Sequence, residues 1–134
     1  MISKKTKYGL KALVYLATCP ANRPIPIADI SSNQGISQKF LEAILLELKK
    51  QGFLSSKKGK GGGYYLLKPA NEISVASVYR ALEGPIAWLP CVSINYYEKC
   101  DDCPSEEACS INKMMLKVRN SVLEVVENQM ISDM

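Results

Sequence analysis

Near the start of the chain, apolar residues return every three to four positions, at Leu10, Leu13, Val14 and Ala17. That spacing puts them on one face and predicts an amphipathic helix over residues 4–18. Residues 19–26 hold three prolines and read as a loop, because proline fixes φ and has no N–H to donate. A short helix over 27–34 follows, then Gly35 and Ile36. A second helix begins after Ser37, whose hydroxyl suits an N-cap, and Gly52 stands where such a helix ends. Its apolar face is Phe40, Leu41, Ile44, Leu45 and Leu48.

The pattern then shortens to two extended segments, 53–57 and 64–68. Between them lies Lys58-Gly59-Lys60-Gly61-Gly62-Gly63, where glycine permits the positive φ of a tight reversal, so a two-stranded hairpin is expected. Another helix runs through Val75, Val78, Tyr79 and Leu82 until Gly84-Pro85 stops it. Periodicity is lost from 86 to 103. A long last helix is expected to start near Cys103-Pro104-Ser105-Glu106-Glu107, with proline in the first turn and carboxylates at the positive end of the dipole.

In that last helix Ile111, Met115, Val118, Val122 and Val125 step by four and three, as in a coiled-coil seam. Leu116, Leu123, Val126 and Met130 form a second stripe. A helix apolar on two faces needs cover on two sides; one small domain supplies one and a second subunit the other, so a homodimer is expected. The expected fold class is mainly α with a small β-hairpin wing. It divides into a winged helix-turn-helix domain over 1–84, a cysteine-containing loop over 85–104 and a dimerisation helix over 105–134.

Charge sharpens this picture. Residues 1–68 carry 12 Lys+Arg against 3 Asp+Glu, and residues 69–134 carry 5 against 10. The basic half favours a polyanion, since each neutralised phosphate releases counterions. In a winged helix-turn-helix the helix after Ser37 enters the major groove with its first residues nearest the bases. Those residues are Ser37, Gln38, Lys39 and, one turn on, Glu42. Gln pairs with adenine and Glu accepts from a cytosine amino group. Lys57, Lys58 and Lys60 at the hairpin tip, and Lys4 and Lys5 ahead of the first helix, are phosphate candidates. No apolar run approaches the ~18 residues of a membrane span. Lys11 interrupts the apolar stretch near the N-terminus, which makes it a helix rather than a secretion signal, and a cytoplasmic chain is expected.

The segment Tyr8-Gly9-Leu10-Lys11-Ala12-Leu13-Val14-Tyr15-Leu16-Ala17 resembles the first helix of the Rrf2 family of bacterial regulators, which includes the IscR, NsrR, RirA and CymR types. Phe40-Leu41-Glu42, Leu48 and Gly52-Phe53-Leu54 look like its recognition helix. The run from Lys57 through Gly61-Gly62-Gly63-Tyr64 looks like its wing, and Ala81-Leu82-Glu83-Gly84-Pro85 is also similar. The resemblance is nearly end to end. It implies a homodimer that binds a roughly palindromic operator in double-stranded DNA as a transcriptional regulator of the repressor type. By the same resemblance, Ser37, Lys39 and Glu42 fall where bases are read, and the wing, with Gly61 and Tyr64, falls at the minor groove.

Cys91, Cys100, Cys103 and Cys109 form C-x8-C-x2-C-x5-C, and the chain has no histidine. Any metal site there must be built on thiolates, which select iron–sulfur clusters, zinc or copper(I). In iron–sulfur members of the resembled family three cysteines occupy this region. Cys91, Cys103 and Cys109 match them, as do Cys91, Cys100 and Cys109, with the spacing before the last helix favouring the first set. The IscR-type histidine is replaced here by Asn112, and the NsrR-type acidic residue by Lys7. The extra cysteine would complete an all-cysteine site. Three states stay open: a 2Fe–2S or 4Fe–4S cluster that senses iron–sulfur, redox or nitric oxide status; structural zinc; and metal-free thiols, as a switch or in a cysteine-metabolism regulator. Cys19 stands apart and reads as a small buried hydrophobe. An enzyme is not expected: no nucleophile–base pair is recognisable, and the glycine loop lacks the Gly-Lys-Ser/Thr ending of a P-loop. An iron–sulfur or protein-binding scaffold would share the cysteines without needing the basic wing.

Overall fold

The computed structural model describes residues 2–134. Helix α1 (Lys4–Ala17) starts at Ser3, whose Oγ accepts from the Thr6 N–H at 3.2 Å. Helix α2 (Ile27–Gln34) ends at Gly35, in the left-handed region at φ 64°. Helix α3 (Gln38–Lys50) starts at Ser37, whose Oγ accepts from Phe40 N–H at 3.3 Å. Each cap satisfies an N–H that the helix itself leaves free. Strands β1 (Leu54–Lys57) and β2 (Gly63–Leu66) pair antiparallel, with Leu54 opposite Leu66 and Lys57 opposite Gly63. Helix α4 (Val75–Leu82) starts at Ser74, and helix α5 (Ser110–Val126) carries the chain away from the wing.

The core lies where α1, α2, α3 and α4 meet. Leu13, Ile30, Leu41, Ile44, Leu45, Leu48, Leu54, Ile73 and Val78 are fully buried there. Each such side chain contributes about 1.5–3 kcal/mol. The α3 stripe from Leu41 to Leu48 is therefore consumed in packing, while Phe40, 40% exposed, does not join it; this fixes the helix and leaves its opposite face to solvent. No helix among the described residues is long and apolar enough to cross a membrane.

Three expectations on element boundaries need correction. The last helix starts at Ser110, not near Pro104, because Cys109 rather than a residue around 103–105 supplies the N-cap: its Sγ accepts from the Asn112 N–H at 3.4 Å. The same helix ends at Val126, so Met130 does not continue its stripe. Met130 instead bridges Ser74, with Val75 N–H donating to Gln129 O and Ile131 N–H to Ile73 O, both at 2.8 Å. Ile131, 1% exposed, thereby joins the N-terminal core. Finally, the proline-rich loop is not wholly irregular: Ile25 bridges Tyr64 and adds one extended residue to the hairpin.

Candidate nucleic-acid interface and cysteine groove

The first turn of α3 is held from behind and open in front. Ser37, Gln38, Lys39 and Glu42 are all exposed. Behind them Phe40 meets Tyr8 of α1 edge to face, with ring centroids 5.6 Å apart. Lys11 Nζ donates to Gln34 O at 2.9 Å, so a cation from α1 sits on the negative end of α2 and ties those two helices together.

The hairpin is oriented by two contacts. Lys49 Nζ, at the end of α3, donates to Ser56 Oγ on β1 at 2.7 Å. Ile25 and Tyr64 exchange backbone hydrogen bonds of 2.8 and 2.9 Å. A side chain at Gly63 could not fit this second contact: a Cβ there would lie 2.2 Å from Ile25 O. At the tip Lys57, Lys58, Lys60 and Gly61 are exposed, whereas Tyr64 is half-buried and packs against the core. Lys4 and Lys5 are exposed in the first turn of α1, which has no acidic residue there. The structure thus puts the α3 residues and the wing lysines on neighbouring elements joined through Lys49 and Ser56.

Cys91, Cys100, Cys103 and Cys109 all line one open groove of about 490 Å³, together with Leu89 and Asn112. Cys91 is buried on a 3-10 turn, Pro90–Val92, while the other three are half-buried. A turn closed by Cys103 N–H to Cys100 O at 3.2 Å carries the middle pair. A hydrogen bond with Cys91 pushes the Cys100 thiol pKa up, helped by burial and by Asp102 and Cys103. Tyr97 Oη donates to Glu106 and pins the two sides of the loop together. That bond, with burial and the carboxylate charge, raises the Tyr97 pKa to about 12. Among the described residues no three Cys, Asp or Glu side chains stand close enough, as placed, to hold a metal ion. The donor set itself is chemically suited to a soft metal, and loop 94–108 would have to close to gather it. Cys19 lies elsewhere, half-buried, with Sγ 3.5 Å from Tyr15 O.

Two residues of this region take roles that the sequence pattern did not assign, although Asn112 stood out there as the replacement of a histidine. Asn112 donates from Nδ2 to Cys91 Sγ at 3.4 Å, and Arg119 of α5 donates to Val92 O at 2.8 Å. The only signal for the first was its place three residues after Cys109, where an N-cap partner falls. On the outer face of α5, Ile111 (55%) and Val125 (65%) are well exposed, Val122 is exposed, and Met115 and Val118 are half-buried. Leu123 is buried and Leu116 and Val126 half-buried, so the second stripe faces the chain's own domain. Beside the seam, Val118, Val122 and Trp88 line an apolar cavity of about 250 Å³, and Trp88 is 70% exposed.

A family model for Rrf2, described as an iron-dependent transcriptional regulator, matches residues 2–134. An rrf2-like HTH-type transcriptional regulator of Rhodobacter capsulatus is 43% identical over 138 residues, covering 100% of this chain and 91% of the relative. CymR, the global cysteine regulator of B. subtilis, superposes with a TM-score of 0.80 at 26% identity, over 99% of this chain and 94% of CymR. IscR of T. potens superposes with a TM-score of 0.75 at 30% identity, over 99% of this chain and 84% of IscR.

Proposed function

The chain belongs to the Rrf2 family of transcriptional regulators, and from that premise we propose that it works as a homodimer on a roughly palindromic operator and reports the state of its cysteine groove. The observation that carries the DNA reading is the pairing of an exposed α3 N-terminus with a lysine-tipped wing, both in the basic half. Gln38, Lys39 and Glu42 read base edges, Ser37 acts near the backbone as the cap, and Lys57, Lys58 and Lys60 follow phosphates toward the minor groove. Lys4 and Lys5 lie at the positive end of α1, where a phosphate completes the helix terminus.

The seam Ile111, Met115, Val118, Val122 and Val125, exposed at 111, 122 and 125 and half-buried at 115 and 118, is with Trp88 beside it an apolar surface that suits a second copy of the same helix. A two-fold pair sets its recognition helices about 34 Å apart.

Cys91, Cys103 and Cys109, or the same set with Cys100 as a fourth or alternative ligand, would hold a soft metal group, for which an iron–sulfur cluster is our first assignment and zinc the second. A cluster supplies an oxidant-labile, redox-active iron centre when bound. The chain's own part is mechanical: Val92, next to Cys91, is bonded to Arg119 of α5, and Arg80 of α4 pairs with Glu127 at the end of α5 at 3.2 Å. A rearranged thiol loop therefore pulls on α5 and on the relative placement of the two DNA-reading halves. Anaerobic purification followed by a visible spectrum tests the cofactor, with brown colour expected. A colourless protein with stoichiometric zinc, or with neither metal, removes the cluster. Equal operator affinity with thiols loaded and unloaded removes the sensing role. CymR, the global cysteine regulator among the structural matches, favours a second reading in which the chain is a cysteine-metabolism regulator of the same fold.

A further inference from the structure

Helix α5 buries only two side chains among the described residues, Leu123 and Asn112. Asn112 is 8% exposed, and a buried carboxamide is costly unless its N–H groups find acceptors. Its acceptor here is sulfur: Nδ2 donates to Cys91 Sγ at 3.4 Å. The backbone N–H of the same residue donates to Cys109 Sγ, also at 3.4 Å. One residue thus serves two thiols from different elements, the 3-10 turn at 90–92 and the cap of α5. A neutral thiol accepts weakly, so two N–H groups aimed at sulfur match sulfur in its anionic, metal-binding form much better. Cys100 and Cys103 sit instead on a turn next to Asp101 and Asp102.

We propose that Asn112 is the positioning residue of the thiol site. It donates to Cys91 and Cys109 and makes them the fixed side of the site, while Cys100 and Cys103 form the side that closes. It acts through the sulfurs as a donor and is not itself a ligand. This rests on the groove being a thiolate metal site, but not on the metal being iron.

The test is anaerobic cobalt(II) titration of the full chain, comparing wild type with Asn112→Ala and Asn112→Asp. Asp has the same shape, but its ionised carboxylate can only accept. Removal of the donor should weaken cobalt binding about 10–100-fold, the usual scale for a residue that orients ligands. It should also move the sulfur-to-cobalt charge-transfer band to longer wavelength, because a sulfur without its hydrogen bond gives up electrons more easily. Asn112→Asp should bind no better than Asn112→Ala. An Asp variant that binds as tightly as wild type would make position 112 an oxygen ligand and overturn the proposal. So would an Ala variant with unchanged affinity and band. Should either variant fail to fold, cadmium loading of the wild type decides: the Asn112 side-chain amide proton should shift downfield, and an unmoved signal overturns the assignment. A wild-type chain that binds neither metal removes the site and this role with it. Failure of iron reconstitution alone, with an Asn112-dependent cobalt band, retires the cluster and supports Asn112.

Discussion

Removing two of the three lysines of the wing tip should change the salt dependence of DNA binding by a calculable amount. Lys58 and Lys60 are exposed, and the only ion pair among the described residues is Arg80–Glu127, so neither charge is neutralised within the chain. Each phosphate contact contributes about 0.9 to the slope of log affinity against log salt. Two lysines on each of two wings would then account for a slope of about 3.6. Over the fourfold range from about 50 to about 200 mM salt, that slope corresponds to about two powers of ten in affinity. Fluorescence anisotropy of a labelled operator duplex, with K58A/K60A against wild type, measures it directly. The variant should bind more weakly at low salt, lose less on salt addition, and do so equally on operator and unrelated duplexes, because phosphate contacts carry no sequence. Lys99→Ala, in the acidic half, is the control and should leave the slope unchanged. A double variant with the wild-type slope would mean that the wing does not touch the backbone, and the geometric argument from Lys49–Ser56 and Ile25–Tyr64 would fail with it.

Other outcomes follow from single contacts. Gly63→Ala forces a Cβ to 2.2 Å from Ile25 O at a φ of 150°, and should cost about 1–3 kcal/mol of stability, read as a lower thermal midpoint and weaker DNA binding. Glu83 accepts the Ser3 N–H at 2.6 Å, a bond that holds its pKa below the ordinary value. Its contribution is thus present above the unfolded carboxyl pKa and lost as pH falls through the folded one. Thermal midpoints should fall more steeply on acidification in wild type than in Glu83→Gln, and parallel curves would refute the link. Val122→Glu with Val125→Glu places two carboxylates on the seam and should raise the dimer dissociation constant about 100-fold, a cost of about 3 kcal/mol. Sedimentation velocity reads that as monomer at concentrations where wild type is paired.

What was legible in the sequence, and what was not, divides along the range of the contacts. Helices α1 to α3 and the hairpin are written locally: Ser37 caps α3, Gly35 turns left-handed, and the stripe from Leu41 to Leu48 is the buried one. The start of α5 misleads because Pro104, Glu106 and Glu107 imitate a helix N-terminus. They instead make a stepped series of turns, with Ser105 Oγ accepting from Ala108 N–H and Cys109 N–H donating to Glu106 O. The true cap is a thiol, outside the usual set of Ser, Thr, Asp and Asn. Met130 fits the helical stripe by spacing alone, yet it pairs with Ser74, and its neighbour Ile131 with Ile73. Nothing in a period reports a partner more than fifty residues away.

The cysteine site shows the same division from the side of chemistry. Four thiols in one short stretch announce a soft-metal or redox site from composition alone. Spacing favours Cys103 over Cys100, but the ranking of how firmly each sulfur is held does not come from it. It comes from which sulfurs receive N–H groups, and in this fold those are Cys91 and Cys109, through Asn112. The residue that stands where an IscR-type histidine would be is thus tied to the site without offering a nitrogen lone pair. Cys91 and Cys109 are each held by an N–H of Asn112. In the proposed sensing role, sensitivity to the signal would reside in loop 94–108, where Tyr97 donates to Glu106, with a route outward from Val92 through Arg119 into α5. Loosening that loop should alter how readily the site closes, whereas altering Asn112 should alter how tightly it holds, and the two effects separate in one metal titration by rate and by affinity.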